Sequence, residues 1–287
     1  MEKENNKIKL KKKWKIIITI ILCMCILLCW AMFISTKGII VKEYKVVNKD
    51  LPESFYGLKI VHFSDLHYGR TIKEKELKEL VKNINLTKPD IVIFTGDLVD
   101  RDVKLTNSMN KILIKYLSNI ESIYGKYYIT GNHDKYFDSY DETMEDSDFI
   151  NLNDAYDTIY SEKLETIFIA GMNCYITKTP SLKNVDEYIE NNEIPKFKIF
   201  AMHVPDNMKY VKNYDFDLVL AGHSHGGQVR LPFVGAIIKP VGAKTYYDEY
   251  YKVNNTDLYI SSGLGTSTFN IRFFNKPSFN LYRVVNK

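Results

Sequence analysis

Cysteine is scarce in this chain of 287 residues, and the few cysteines present are poorly placed for disulfides. Three of the four, Cys23, Cys25 and Cys29, lie within one uncharged apolar run, which leaves Cys174 alone in the rest of the chain. The sequence therefore excludes a disulfide framework. It also excludes a structural metal site built from several thiolates. We interpret the three clustered cysteines as apolar packing residues.

Excess positive charge is missing from most of the chain. The net charge is +4, but residues 1–37 contribute +6 through eight lysines and two glutamates, which leaves −2 for residues 38–287. A mildly acidic domain lacks the basic surface by which proteins bind nucleic acid, so nucleic acid is not an expected partner. Internal repeats are also missing, and the roughly 250 residues after the first segment fit one α/β domain.

Charge is absent altogether from Ile16 to Ile34, a run of nineteen residues. As a helix this run is long enough to cross most of a bilayer core of about 30 Å. Seven lysines precede it and only Lys37 follows closely, so the positive-inside rule predicts a cytoplasmic N-terminus and an extracytoplasmic domain. A cleaved signal peptide is the alternative, but no small-residue cleavage site follows the run, which exceeds the usual length of a signal-peptide apolar region.

We therefore expect a single-pass protein of the cell membrane. Its expected segments are a cytoplasmic basic segment (1–15), a transmembrane anchor (16–34), a linker with the first strand (35–57) and a catalytic domain (58–287).

Short apolar runs alternate with amphipathic helical patterns after the anchor. The predicted strands are 40–47, 58–64, 91–94, 126–130, 166–170, 198–202, 216–221, 258–261 and 281–285. Apolar residues at helical spacing predict helices near 77–84, 109–120 and 186–191, and the acidic segment 138–154 is expected to be partly helical. The alternation predicts an α/β fold, in which ligands bind at the carboxyl ends of the strands.

Residues able to bind metal ions follow five of these strands. They are Asp65 and His67, Asp97, Asn132 and His133, His203, and His223 with His225. Among the six histidines only His62 lies elsewhere, inside an apolar strand, and we interpret it as a core residue. Nitrogen and oxygen ligands without thiolates suit Mn²⁺, Fe or Zn²⁺. The set is too large for one four-coordinate ion, so we expect two ions about 3.5–4 Å apart that share a carboxylate.

Each motif has a simpler interpretation when it is taken alone. An Asp-x-His or Gly-Asp pair is usually only a turn. Asp100 could support a metal ligand or begin a helix. Arg230 and Arg272 could bind phosphate oxygens, but surface ion pairing is the default for arginine. A group of tyrosines could line a lipid or sugar site or simply pack in a strand: Tyr246, Tyr247, Tyr250 and Tyr251. The occurrence of all the metal-binding motifs in one order favours the metal site.

The motifs and their order resemble those of the calcineurin-like metallophosphoesterase superfamily. The resemblance rests on Asp65-Leu66-His67, Gly96-Asp97, Gly131-Asn132-His133-Asp134, His203 and Gly222-His223-Ser224-His225, and it covers the chain from about Leu58 to the end. The stretches 221–232 and 262–265 are similar to a bacterial membrane-associated branch of that superfamily. Pro277-Ser278-Phe279 departs from the branch because it lacks an acidic residue, which concerns only a peripheral contact.

The resemblance implies a four-layer αββα sandwich with a di-metal site. Asp65, His67, Asp97 and His225 would hold one ion, and Asp97, Asn132, His203 and His223 would hold the other, so that Asp97 bridges the two. His133 would contact the phosphate and protonate the leaving oxygen, and Asp134 would orient its ring. A hydroxide held between the ions would attack phosphorus in line.

We therefore expect a membrane-anchored, metal-dependent phosphohydrolase, more specifically a phosphodiesterase. Its phosphoester substrate could be linked to a lipid or to the cell wall. One alternative is hydrolysis of a nucleotide-linked lipid or sugar pyrophosphate, a substrate class that the superfamily also handles. The other alternative is a non-catalytic module that binds phosphate polymers. His133 favours turnover, because binding alone needs no proton donor.

Overall fold

The computed structural model describes the backbone of residues 2–287 and the side chains of residues 11–287. Helices α1 to α6 span Glu2–Cys29, Glu74–Thr87, Asn107–Leu117, Tyr140–Glu145, Lys183–Asn191 and Met208–Val211. Strands β1 to β14 span Ile40–Val47, Leu58–Phe63, Ile91–Phe94, Gly125–Tyr128, Phe149–Asn151, Ala155–Tyr160, Thr166–Gly171, Lys198–Met202, Leu218–Ala221, Arg230–Leu231, Gly235–Ala236, Tyr250–Val253, Thr256–Ile260 and Ser278–Val285.

Most of these strands belong to two mixed sheets of six strands each. The first sheet has the order β1-β14-β2-β3-β4-β5, and the second has the order β12-β13-β9-β8-β7-β6. Strands β2, β3 and β4 are parallel neighbours in the first sheet, and β7, β8 and β9 are parallel neighbours in the second. Strands β10 and β11 form a separate hairpin. Parallel neighbours bring their carboxyl ends, and the loops that follow them, to one edge of each sheet.

The two sheets pack face to face because successive residues of a strand point to opposite sides. On β3, Ile93 joins the apolar core between the sheets, while Val92 packs against the outer layer. On β8, Ile199 joins the same central core, while Phe200 faces the opposite outer layer. This alternation gives each sheet two buried faces.

Helices cover the two outer faces. Leu77 of α2 and Leu113 of α3 pack on the first sheet, and Val185 of α5 and Met208 of α6 pack on the second. On α2, the apolar residues at helical spacing are all buried, as the sequence pattern predicts. The layers are therefore helix, sheet, sheet and helix, and the predicted four-layer αββα fold is confirmed.

The sequence patterns miss the strands β5, β6 and β12. Each of the three lies at an edge of its sheet. Of the β6 side chains only Ile159 is buried, and no side chain of β12 is buried. Such half-covered strands do not need the continuous apolar run by which central strands are recognised. The acidic segment 138–154 is partly helical, as expected, but it contains β5 as well as α4.

The N-terminal helix carries the uncharged apolar run. The stretch Lys11–Ile34, of 24 residues, is long and apolar enough to cross a membrane and is almost entirely exposed. Helix α1 ends in a π-helical turn at Trp30–Ile34, and β1 then joins the edge of the first sheet by pairing with β14. The length and composition of this helix suggest a membrane anchor.

Candidate metal centre

Five loops meet where the two sheets present the carboxyl ends of their parallel strands. The loops after β2, β3 and β4 carry Asp65, Asp97 and Asn132, and those after β8 and β9 carry His203 and the turn 222–225. The structure thus brings together residues that are up to 160 positions apart in the sequence, from Asp65 to His225.

Five of the predicted ligands have a left-handed backbone conformation. The φ angles are 51° for Asp65, 42° for His67, 62° for Asp97, 66° for His223 and 50° for His225. Such a conformation costs a residue other than glycine about 1–3 kcal/mol and persists only where the surroundings hold it. Strained positions of this kind cluster at functional sites.

Glycine is required at position 131 by a close approach of two loops. A Cβ atom there would overlap the carboxylate and the backbone nitrogen of Asp97. The backbone N–H of His133 also donates a 2.7 Å hydrogen bond to Oδ1 of Asp97. The loop after β4 therefore fixes the orientation of the Asp97 carboxylate.

Asp65, His67 and His225 form the first cluster of ligand atoms. One such atom from each residue lies within 4.8 Å of the other two. Ring Nε2 of His225 is 3.1 Å from Nε2 of His67 and 3.3 Å from Oδ1 of Asp65. All three side chains are buried.

Asp65, Asp97 and His203 form a second cluster by the same distance. Oδ2 of Asp97 is 3.4 Å from Nε2 of His203 and 3.7 Å from Nε2 of His67. Oδ2 of Asp97 therefore lies within 4 Å of a histidine from each cluster.

The ring of His203 is held by the backbone. Its Nδ1 donates a 2.6 Å hydrogen bond to the carbonyl of Thr95, so Nε2 is the ring atom that could act as a ligand once it loses its proton. Oδ1 of Asn132 lies 3.1 Å from that Nε2. The amide oxygen and the imidazole nitrogen therefore converge on the same point.

His223 lies beside the second cluster but, among the described residues, is part of neither. The centroid of its ring is 5.1 Å from that of His203. Its Nε2 donates a 2.8 Å hydrogen bond to the carbonyl of Val241. Nδ1 is therefore the ring atom left for a ligand role.

Asp100 belongs to the site more closely than the sequence motifs indicate. Its Oδ2 lies 3.3 Å from Nδ1 of His67 and 3.7 Å from Nδ1 of His133, and its Oδ1 forms an ion pair with Nε of Arg70 at 2.9 Å. Of the two interpretations of Asp100, helix start is wrong, because α3 begins only at Asn107. The spacing Gly96-Asp97-x-x-Asp100 is the signal that could have given it a role in the site.

The protonation of the His133 ring is set by a backbone group. Its Nδ1 accepts a 3.0 Å hydrogen bond from the backbone N–H of Arg101. In the neutral ring the proton must then lie on Nε2. That atom is 4.0 Å from Oδ2 of Asp97.

No hydrogen bond joins Asp134 to the ring of His133, which it is expected to orient, among the residues whose side chains are described. Within the part of the chain whose side chains are described, the buried Asp134 carboxylate instead accepts hydrogen bonds from three backbone N–H groups, those of Asp97, Leu98 and Gly131, each at 2.7 Å. Unpaired N–H groups in a tight buried loop are costly, and the carboxylate satisfies all three at once. Asp134 therefore braces the loop of Asp97.

Burial and close charges shift the pKa values of these groups in opposite directions. Burial lowers the pKa of His133 to about 4 and raises the pKa of Asp65. Burial alone would also lower the pKa of His203, but the Asp97 carboxylate raises it to about 9. The nearby His203 ring in turn holds the pKa of Asp97 well below its usual range despite burial. Burial and the nearby Asp97 carboxylate raise the pKa of Asp134 to about 7.

The donor set fits divalent cations. Four carboxylates are buried together: Asp65, Asp97, Asp100 and Asp134. Arg70 forms an ion pair with Asp100. Nδ1 of His225 has no hydrogen-bond partner among the described residues. Buried carboxylates need opposite charge, and imidazole nitrogens that face one another and a carboxylate at about 3 Å suit a shared cation.

A cavity of about 460 Å³ opens beside the clusters. Its lining includes Asp97, His133 and His223 and also the apolar residues Ile238 and Phe269. A ligand bound there would contact both ionic and apolar groups.

The structure also decides the roles of residues outside the predicted ligand set for which the sequence offered a simpler interpretation. His62 is a core residue, as predicted, because it is fully buried and hydrogen-bonded to Thr95 at 2.9 Å. Surface ion pairing is wrong for Arg272, which is fully buried and donates to the carbonyls of residues 262, 263, 265 and 275. Arg230 pairs with Asp248 at 2.6 Å, as the default interpretation expects. Among the tyrosines, Tyr250 and Tyr251 lie in β12 and Tyr246 packs on the core of the second sheet, which supports strand packing.

A family model for the calcineurin-like phosphoesterases matches residues 58–227. The match covers more than half of the chain and includes every predicted ligand from Asp65 to His225. The chain belongs to the calcineurin-like phosphoesterase family. This membership confirms the resemblance on which the expected fold was based.

Several proteins are similar to this phosphoesterase. The uncharacterized metallophosphoesterase YkuE of Bacillus subtilis is 30% identical over 256 residues, which are 88% of each chain. An uncharacterized metallophosphoesterase of Campylobacter jejuni is 31% identical over 241 residues, which are 81% of this chain and 60% of that relative. The UDP-2,3-diacylglucosamine pyrophosphatase LpxG of Chlamydia muridarum is 25% identical over 82% of this chain and 87% of its own. Among solved structures, purple acid phosphatase PPD1 from yellow lupin aligns with 73% of this chain and 44% of its own at a TM-score of 0.42 and 13% identity.

Proposed function

We propose that this phosphoesterase is a membrane-anchored hydrolase that uses two metal ions and acts preferentially on phosphodiesters. The observation that carries the proposal is the convergence of Asp65, Asp97, His67, His203 and His225 beside a cavity that His133 also lines. Family membership supports the reaction class, because the chain is a phosphoesterase by descent.

The proposed ligands fall into two sets. Asp65, His67, Asp97 and His225 would hold one ion. Asp97, Asn132, His203 and His223 would hold the other. The short distances from Oδ2 of Asp97 to His67 of the first cluster and to His203 of the second support its role as the shared ligand. Mn²⁺, Fe and Zn²⁺ suit this mixture of imidazole, carboxylate and amide ligands.

When bound, two such cations would acidify a water molecule and neutralise charge on the phosphoryl oxygens. The chain itself would supply the proton for the leaving group. For this step Nδ1 of His133, which lies 3.7 Å from Oδ2 of Asp100, would exchange the bond from the backbone N–H of Arg101 for a proton. The imidazolium would then pass its Nε2 proton to a leaving oxygen in the cavity and return to the neutral ring. An alkoxide leaves poorly without a proton, and such positioned proton transfer contributes about 10²–10⁴ in rate.

The proposed location is the outer face of the cell membrane. The lysines before the apolar run and their near absence after it favour a cytoplasmic N-terminus. The domain would then act on a phosphoester at the membrane surface or in the cell wall.

Hydrolysis of a pyrophosphate in a nucleotide-linked lipid is the second candidate. Two observations favour it: one relative is named a UDP-2,3-diacylglucosamine pyrophosphatase, and the lining of the cavity includes the apolar residues Val229, Ile238 and Phe269. An acyl chain could pack against these residues while the phosphates face the clusters.

A substrate panel with the full chain in detergent tests both candidates. The metal-stripped protein would be reloaded with Mn²⁺ or Zn²⁺ and assayed on bis(4-nitrophenyl) phosphate, 4-nitrophenyl phosphate and a UDP-linked diacyl sugar. We expect hydrolysis that depends on the metal and is lost in Asp97→Asn. The matched control is Asp138→Asn, since Asp138 is exposed.

The outcomes separate the hypotheses. Preference for the diester supports the first candidate, and preference for the UDP-linked substrate supports the second. Metal binding without turnover of any compound, in a protein with an intact His133, would favour the non-catalytic binding module.

A further inference from the structure

An exposed apolar surface surrounds the hairpin of β10 and β11. We define this apolar rim by Leu231, Phe233, Val234, Ile237, Ile238, Phe269 and Phe274, whose side chains are each at least 40% exposed. Phe233 at the tip of the hairpin is fully exposed. A monomeric soluble protein rarely exposes so many neighbouring large apolar side chains, and such surfaces mark sites that contact a membrane or another protein.

The apolar rim adjoins the candidate metal centre. Ile238 and Phe269 belong both to the rim and to the wall of the cavity that contains His133. The side chain of Gln228 donates a 2.8 Å hydrogen bond to the carbonyl of Phe269, so the base of the hairpin is tied to this part of the rim. The cavity mouth is therefore bordered by exposed apolar groups.

The apolar rim also adjoins the end of the N-terminal apolar helix. The ring of Trp30 lies 5.6 Å from that of Phe273 and 6.4 Å from that of Phe274. The backbone N–H of Arg272 donates a 3.1 Å hydrogen bond to the carbonyl of Ala31. The segment 272–274 thus contacts the helix end on one side.

The same segment is bonded to the hairpin on its other side. The backbone N–H of Arg230 donates a 2.9 Å hydrogen bond to the carbonyl of Phe273, and the N–H of Phe273 donates a 3.1 Å bond to the carbonyl of Gln228. The helix end, the segment 272–274 and the hairpin are therefore linked by direct contacts. If the helix lies in a bilayer, the apolar rim must lie close to the surface of that bilayer.

We propose that the apolar rim is inserted into the lipid bilayer at the leaflet where the N-terminal helix ends. Its continuity with the helix favours lipid over a second protein as the occupant, because the contacts fix its position near the membrane. Lys239 follows Ile238 directly and Lys276 lies two residues after Phe274 in the sequence, and basic residues next to apolar ones favour an anionic lipid surface. Insertion would open the cavity toward phosphoesters whose acyl chains lie in the same leaflet, a consequence that rests on the proposed function.

Site-specific fluorescence in lipid nanodiscs tests the insertion directly. The full chain, with its four cysteines changed to alanine, would carry one new cysteine labelled with an environment-sensitive dye at Phe233→Cys or, as a second variant, at Val234→Cys. The matched control is Ile123→Cys, an equally apolar position that is 71% exposed and precedes β4, at the end of the sheet opposite the cavity. The nanodiscs would contain phosphatidylcholine and phosphatidylglycerol, with or without brominated acyl chains.

We expect a blue-shifted emission at 233 and 234 and at least a twofold loss of intensity with brominated lipid. The label at 123 should show neither effect. Equal emission at all three positions, without quenching, would overturn the proposal. A blue shift at 233 that brominated lipid does not quench would also overturn it, since a protein surface would then cover the rim. This readout needs no enzymatic activity, so a failure of the proposed reaction would leave it unaffected.

Discussion

Substitutions of Asp134 can distinguish two roles for this residue, namely support of the loop that carries Asp97 and participation in proton transfer. In Asp134→Asn, the amide oxygen can take the place of Oδ2 and keep the bonds from the N–H groups of Asp97 and Gly131. The amide nitrogen then faces the N–H of Leu98, which loses its acceptor. One unpaired buried N–H costs about 1–3 kcal/mol. For a domain of this size that lowers the unfolding temperature by roughly 2–4 °C for each kcal/mol.

The alanine variant should be more severe. Asp134→Ala removes both oxygens that accept the three hydrogen bonds, and we expect a loss of roughly 3–6 kcal/mol, less than three independent penalties because the loop can relax. The loop that carries Asp97 would also lose its bracing, so we expect metal affinity to fall by about 10–100-fold in the asparagine variant.

Three measurements on the full chain test this reasoning. They are the thermal unfolding midpoint, the metal affinity by calorimetry, and the dependence of kcat on the pKa of the leaving group. Asp138→Asn, an exposed acid four residues later, is the control and should match the wild type. The reasoning is refuted if Asp134→Asn keeps wild-type stability and metal affinity but loses rate only with poor leaving groups, since that is the signature of an orienting partner for His133.

Four further predictions follow from the same contacts. Gly131→Ala should abolish metal binding, measured by calorimetry, because its methyl group would displace the Asp97 carboxylate; unchanged affinity would contradict the close approach. His133→Gln should lower kcat by about 10²–10⁴ for an alkyl phosphodiester and far less for a 4-nitrophenyl ester, whose leaving group needs no proton; an equal loss on both would exclude a proton donor. Arg272→Met should destabilise the protein by roughly 3–5 kcal/mol in urea unfolding, since buried carbonyls lose their donor; a neutral effect would argue against this role. The chelated protein should lose up to about 3 kcal/mol of stability between pH 6.5 and 9. The reason is that His203 has a pKa of about 9 when folded, so its stabilisation is present below pH 6.5 and is lost as the pH rises through 9. The His203→Gln variant should lack this loss.

The sequence by itself indicated an α/β fold, its central strands and the residues that meet at the candidate site. Central strands such as β3 are buried on both faces and must be continuously apolar, so their positions and their polar ends could be predicted. The motifs around Asp65, Asp97 and His225 also carried the family resemblance, because metal chemistry restricts the residue types that can stand there.

Only the tertiary structure decided which of these residues support others. Asp134 and Asp100 are both single acids near metal-binding motifs, and sequence spacing does not tell whether a carboxylate faces a ring or a backbone N–H. That choice depends on how closely the loops after β3 and β4 approach each other, which Gly131 permits. Arg272 is likewise expected at the surface from the sequence, but packing buries it among carbonyl groups. The relation of the apolar rim to the N-terminal helix joins segments about 200 residues apart, from Trp30 to Arg230, and a linear pattern has no means of expressing contacts that form only when the chain folds.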